Sequence, residues 1–331
     1  MAHPGVISHA GGHPLTMAPL LPQKRSFFSR QAFVFACSAT MLLGSAMAGA
    51  GLDLVMDDPS SLLRSQPEGL SKLTPAFASS KATIASGVGG RAVPQFSGAP
   101  SAESPDARVQ ILSEPAMGPS RFFRATLNGA SQVKQVGLGI LPDKEASLQS
   151  LATRENGLVK ISGCLDFLIR ASSSSGAPKF QMNTKVANLG ISVTTNPGDG
   201  GLGLRIFTSA RSLAVNSDKT GKRAMIEKRS DIRLENDSIY HGALVFKTME
   251  DGSLSVALCL TSGAGQFDPQ TTVATVIDGF ELMEDASSKE TDKVTLTLGR
   301  DETSQQTLDI AAFRIFKQVP EILPGFEPPK P

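Results

Sequence analysis

Tryptophan is absent from this 331-residue chain, and tyrosine occurs once, as Tyr240. Sugars usually stack on such side chains, so the usual platforms of a glycan site are missing. Histidine is scarce: three of the four, His3, His9 and His13, precede an expected cleavage point, leaving only His241 in the mature chain. Zinc sites and nucleophile triads usually need more than one imidazole or an activated Ser or Cys nearby, so His241 reads as a structural strand residue. A surplus of either charge is lacking too. The net charge is +1, which argues against nucleic acid and against a cationic partner recruited by bulk charge. No internal repeat is evident. No apolar run is long enough to be read as a transmembrane helix, so the mature chain is expected to have no transmembrane segment.

The longest apolar stretch belongs instead to an export signal over 24–48. Lys24, Arg25 and Arg30 form its positive flank, 32–43 its apolar segment, and Ala46-Met47-Ala48 its small-x-small cleavage site. Lys24-Arg25-Ser26-Phe27-Phe28 resembles a degenerate twin-arginine signal, but the lysine in the pair favours ordinary Sec export. Val34-Phe35-Ala36-Cys37 resembles a lipoprotein box; Phe35 and the short run before Cys37 argue against it. Met17 is an alternative start. The mature chain is expected to be exported to the periplasm, the cell surface or beyond, with 1–48 as signal and n-region.

Gly, Ser, Thr and Pro are plentiful, and they punctuate many short alternating segments. The clearest lies within 232–265, where Tyr240, Gly242, Leu244 and Phe246 share one face and Leu254, Val256, Leu258 and Leu260 share another. Period-two patterning puts one side of each strand into a core, and Glu250-Asp251-Gly252-Ser253 supplies the Asp-Gly of a tight reversal. Further strands are expected at 121–127, 135–141, 158–161, 165–170, 179–183, 190–195, 202–207, 212–215 and 224–228. The spacing of Ala146, Leu148, Leu151 and Ala152 predicts one short helix between 142 and 153. This is an all-β pattern of two antiparallel sheets covering each other. Residues 49–74 are poorly patterned, though 52–56 is a candidate early strand and 83–85 and 108–112 are better ones; the sandwich is expected over 75–318, and the proline-rich tail 319–331 is expected to be extended or frayed.

Three segments, in order, carry a family resemblance. Tyr240-His241-Gly242-Ala243-Leu244-Val245, followed by Asp251-Gly252-Ser253-Leu254-Ser255-Val256, resembles the central strand pair of laminin-G-like, concanavalin A-like jelly rolls. Gly163-Cys164-Leu165-Asp166-Phe167 stands upstream, and Leu296-Thr297-Leu298-Gly299 with Asp309-Ile310-Ala311-Ala312-Phe313-Arg314 resembles the closing strands. Val88 to Val93, with Phe96-Ser97-Gly98, resembles the opening strand. Cys259-Leu260-Thr261 departs from the Tyr-x-Asn of typical members. The resemblance implies a concanavalin A-like jelly-roll β-sandwich.

It also implies a non-catalytic module that binds a polysaccharide or another extracellular ligand. The alternative is a cell-envelope module that binds a surface protein and has no sugar site. Glucanases share this architecture but need two carboxylates facing each other across the sugar. Alternation at Glu281-Leu282-Met283-Glu284-Asp285 puts Glu281 and Glu284 on opposite faces. The chain is therefore expected not to be an enzyme, with no catalytic residue. No cofactor is expected; structural calcium is the one exception weighed, because Asp199, Asp218, Asp251, Asp268, Asp278, Asp285 and Asp301 fall in expected loops. None forms a known calcium loop, and such aspartates usually serve their own turns. Asn196-Pro197-Gly198-Asp199-Gly200-Gly201 lacks the Lys-Ser/Thr of a phosphate cradle, and Lys219 to Arg229 is a basic stretch broken by acids. Export and an even pair permit a Cys164–Cys259 disulfide worth about 4 kcal/mol by loop entropy. The other reading is two small unpaired strand residues.

Overall fold

The computed structural model describes residues 52–55, 84–85, 90–98, 104–112, 122–142, 147–195, 200–208, 224–285 and 291–326. The export signal at 24–48, His3, His9, His13, Asp199, Asp218, the strand expected at 212–215 and the basic residues Lys222 and Arg223 lie outside them.

From the amino end the strands are β1 (Leu52–Val55), β2 (Ile84–Ala85), β3 (Gly90–Gly98), β4 (Ala107–Leu112), β5 (Phe122–Leu127) and β6 (Val133–Pro142). A 3-10 turn, Leu148–Leu151, precedes β7 (Ala152–Glu155), β8 (Leu158–Ile161), β9 (Gly163–Ser173), β10 (Phe180–Val186), β11 (Leu189–Thr195) and β12 (Gly201–Thr208). Then follow β13 (Ala224–Arg233), β14 (Ile239–Thr248), β15 (Leu254–Ser262), β16 (Val273–Phe280), β17 (Val294–Gly299) and β18 (Gln306–Phe316).

These strands form the expected sandwich of antiparallel sheets. Sheet A runs β16-β15-β14-β9-β18-β5-β4, and sheet B runs β13-β12-β11-β10-β17-β6-β3-β2. β7 and β8 pair separately. Strands distant in sequence become neighbours, β9 between β14 and β18 and β17 between β10 and β6, as the crossing connections of a jelly roll require. β18 changes partner along its length. β5 pairs with its first half, and beyond the irregularity between Ile310 and Ala312 β1 takes over, Val55 opposite Ala312 and Leu52 opposite Ile315. The sandwich thus reaches back to Leu52, ahead of the boundary expected at 75 and at the candidate early strand 52–56.

The hairpin of β14 and β15 behaves as its alternation predicts. Tyr240, Leu244, Phe246, Leu254, Val256, Leu258 and Leu260 all enter the main core, with Phe167 and Phe313 from the same sheet and Leu138, Met182, Ile191 and Leu296 from the other. Gly252 takes φ 85° in the reversal, and Asp251 Oδ1 accepts from Ser253 N at 2.9 Å. A side chain at such a φ would be strained.

Of the short helix expected between 142 and 153, residues 143–146 lie outside the described residues; the described part holds a 3-10 turn capped by Ser147, whose hydroxyl accepts from Gln149 N, with Leu148 and Leu151 buried. Of the two states expected for the tail, extended or frayed, the part over 319–326 takes the first. It crosses the outer face of sheet A, where Leu323 pairs with Phe267 and Phe326 N donates to Ala264 O at 2.8 Å. Leu323 is 0% exposed and Phe326 4%. This strap buries the face of β14 opposite the core, so Ala243 and Val245 are as dry as Leu244.

Candidate functional site

Under the strap lies a buried polar cluster. Antiparallel register places Asp166 of β9 opposite Arg314 of β18 and Ala243 of β14, two residues from His241. Arg314 Nε donates to Asp166 Oδ1 at 3.0 Å, and Arg314 Nη2 to Asp166 Oδ2 and to Pro324 O. His241 Nε2 lies 3.1 Å from Asp166 Oδ2 and Nδ1 lies 2.8 Å from Gly265 O. Phe267 and Phe326 close over the imidazole at centroid distances of 4.5 and 4.6 Å. His241 and Asp166 are wholly buried, so the cluster is an anchor for the strap and not a site that a ligand can reach.

Cys164 and Cys259 sit beside this anchor, both buried and both free. β14 runs between their strands: Cys164 faces Val245 and Cys259 faces Ala243. Two strand spacings of about 4.8 Å and a two-residue offset of about 7 Å along β14 put their Cα atoms roughly 12 Å apart, beyond the ~4.4–6.8 Å of a disulfide. The bridge permitted by the sequence is therefore not formed; these are the small unpaired strand residues of the other reading. Burial pushes the Cys259 thiol up to about 12, and it donates to Pro269 O at 3.0 Å. Burial, reinforced by the Asp166 charge, raises Cys164 as well. Both should resist iodoacetamide in the folded chain and react in denaturant without prior reduction. Peptide mapping checks this, and a peptide pair that appears only after reduction would show a bridge.

Three of the aspartates weighed as calcium ligands serve their own turns. Asp251 and Asp301 accept from the backbone N–H two residues on, as does Asp268 from Gln270 N at 2.7 Å. Asp278 lies 3.8 Å from Lys228. Among the described residues no three metal-ligating side chains converge. Glu281 is exposed and Glu284 pairs with Arg154 at 3.1 Å, away from each other's chemistry.

The face with chemistry to offer is the outer side of sheet B. Alternation sends Val136, Leu138, Leu296, Leu298, Phe180 and Met182 into the core and leaves polar or small residues outside. Register aligns them in rows. One row reads Gln95, Gly137, Thr297, Gln181, Thr194, Gly203 and the next Val93, Gly139, Thr295, Asn183, Ser192, Arg205. Ser97 Oγ donates to Gln135 Oε1 at 3.2 Å, Gln135 Nε2 to Gln181 Oε1 at 2.8 Å, and Gln181 Nε2 to Asn183 Oδ1 at 3.3 Å. A third row carries Lys185, Gly190, Phe207 and Met225. The Phe207 ring lies over Gly190, where a Cβ would come within 2.3 Å of it. Lys293 Nζ donates to Gln95 Oε1 at 2.5 Å, its stem lying over Gly139. Desolvation lowers the Lys293 pKa below the ordinary 10.5.

These half-buried amides, hydroxyls and ammonium groups can donate and accept along a polyhydroxylated chain. Sequence reasoning placed no residue here. Residues 95, 135, 181 and 293 are scattered along the chain, and only the strand order joins them. Phe207 does carry a signal in the sequence, being out of phase with Leu202, Leu204 and Ile206.

No protein-family profile matches the sequence, and no curated protein matches it. Among solved structures, the chain is similar to the PL-14 alginate lyase from Aplysia kurodai, at 12% identity and TM-score 0.37 over 62% of this chain and 86% of that one. An endo-β-1,4-glucuronan lyase from the fungus Trichoderma reesei gives 8% identity and TM-score 0.37 over 67% and 93%. The exoplasmic/lumenal domain of VIP36, in a Ca2+/Man3GlcNAc-bound form, gives 11% and 0.32 over 64% and 89%. These three are two polysaccharide lyases and one glycan-bound domain. The two lyases overturn the expectation that the chain is not an enzyme. That expectation rested on the missing carboxylate pair of hydrolysis, which bond breakage by elimination does not need. At these identities and scores the likeness assigns no activity to this chain.

Proposed function

We infer that this protein binds a polysaccharide on the outer face of sheet B. The observation that carries the reading is the set of in-register polar rows, linked from Ser97 through Gln135 and Gln181 to Asn183. Side chains already held by one another lose little freedom when a ligand replaces or extends their hydrogen bonds. Phe207, fixed over Gly190, supplies the apolar surface for a sugar ring that no Trp or Tyr provides here. The export signal read at 24–48 would deliver this face to extracytoplasmic glycans.

A surface-protein module without a sugar site would need an exposed apolar patch. The large apolar side chains exposed among the described residues, Met225, Met249, Val273, Met283 and Ile322, are spread over separate elements, and the apolar outer face of sheet A is covered by the strap. The test is titration calorimetry of the purified chain against a polysaccharide panel, with chromatography of the polymer before and after incubation. Saturable binding is expected, weakened about tenfold by Phe207→Ala, within the usual cost of losing one aromatic contact. Chromatography reports separately whether bound polymer is cut. Failure of every polysaccharide to bind would overturn the reading.

A further inference from the structure

We propose that the outer face of sheet A carries a site for a small oxyanion, held side-on by Arg108 over a row of hydroxyls. The site lies on the sheet opposite the candidate glycan face and does not depend on the glycan reading.

The row follows from alternation and register. On β4 and β5, Ala107, Val109, Ala125 and Leu127 enter the main core, which turns Arg108 and Thr126 outward. Arg108 pairs with Thr126, Thr126 with Thr307 of β18, and Thr307 with Ser172 of β9. One guanidinium and three hydroxyls thus stand in line across four strands, at ~4.8 Å per strand. The strap's Phe326 packs elsewhere on this face, with Phe122, Leu168 and Ala311. Those residues stand four positions along β5, β9 and β18 from Thr126, Ser172 and Thr307, about 13 Å away.

Arg108 is the member of the row with an unmet bond. Its Nε is buried without a hydrogen-bond partner, the one buried side-chain nitrogen or oxygen in that state among the described residues. A donor so placed has lost water and gained nothing in return, a cost that is larger for a charged group. The neighbouring carboxylates are turned to other donors. Asp309, one row further on, takes Arg124 at 2.6 Å and Arg170 at 2.7 Å and is 2% exposed. Asp106, two residues before Arg108, accepts from Asn128 Nδ2 at 3.2 Å.

An oxyanion answers this arrangement. The side edge of a guanidinium presents Nε–H and one Nη–H in parallel, matched to two oxygens of a single acid group. The arginine stem is a chain of rotatable single bonds, so that edge can turn onto the row. Hydroxyls of Thr126, Thr307 and Ser172 can then donate to a third oxygen. Sulfate, phosphate and carboxylate share the first contact. A carboxylate has no third oxygen for the hydroxyls, so it should bind more weakly.

The test follows the Arg108 Nε–H resonance of the isotope-labelled full chain as inorganic sulfate, phosphate or acetate replaces chloride at constant ionic strength. The resonance is assigned by its loss in Arg108→Met. Expected is a saturable shift with sulfate and phosphate, reached at several-fold higher concentration with acetate. Thr307→Val should weaken sulfate binding by about twofold to tenfold, the worth of one hydrogen bond. Under sulfate the thermal midpoint should rise more for the native chain than for Arg108→Met, because only the native chain binds the ion. Without the anion, Arg108→Met should melt at or above the native midpoint, since it removes an unmet donor. A midpoint several degrees lower would make Arg108 a structural residue and overturn the site, as would a resonance that none of the three ions shifts. Unequal response to sulfate and phosphate would name the preferred oxyanion.

Discussion

Asp166→Ala is expected to cost about 3–5 kcal/mol of folding free energy, the range for deleting one partner of a buried ion pair. The carboxylate is 0% exposed and holds Arg314 through both oxygens and His241 through one. Its removal leaves a guanidinium against Phe326, 3.8 Å from Cζ to the ring centroid, with Pro324 O as a remaining hydrogen-bond acceptor. It also leaves an imidazole between two phenylalanines, with Gly265 O 2.8 Å from Nδ1. Water cannot enter to compensate without lifting the strap. Asp166→Asn keeps the shape and one acceptor, and is expected to lose less. Urea unfolding read by circular dichroism measures both, and a loss below about 1 kcal/mol for the alanine variant would place the pair in the class of surface ion pairs.

The same cluster shows where the sequence is legible and where it is not. Alternation along β14 separates Tyr240, Leu244 and Phe246 from His241, Ala243 and Val245, and Asp251-Gly252 marks the turn, because strand faces and tight reversals are local properties. Alternation cannot say that the second face is also buried. That depends on 319–326, whose prolines suppress any strand period and whose only mark is an apolar pair, Leu323 and Phe326, three residues apart. Cys164 and Cys259 stand next to core-facing Leu165 and Leu258 and so fall on the other face by alternation, but which strand lies between them follows from the topology. The candidate glycan face was less legible still. Gln95 and Lys293 are 198 residues apart in the chain, and Gln135 and Gln181 are 46 apart. Each alone reads as an ordinary solvent-facing strand residue.

Phe326→Ala tests the strap more directly, with an expected loss of about 3–5 kcal/mol, the usual range for a buried phenylalanine. Phe326 touches His241 and Arg314 and packs in one apolar group with Phe122, Leu168, Ala311 and Ala312. Its truncation therefore removes both a large apolar surface and the ring over two polar groups. Local and global opening separate in the thiols. Cys164 and Cys259 share their apolar cluster with Leu323, on the covered side of sheet A, whereas the main core lies on its other side. If the strap opens as a unit, the variant alkylates Cys164 and Cys259 faster than the intact chain under native conditions while its β-sheet circular dichroism stays unchanged. If instead labelling tracks loss of the sheet signal through a urea series, strap and sandwich unfold together. In that case the Asp166 cluster belongs to the global fold and is no separate latch. Unfolding energy within about 1 kcal/mol of the intact chain would contradict the burial of Phe326 itself.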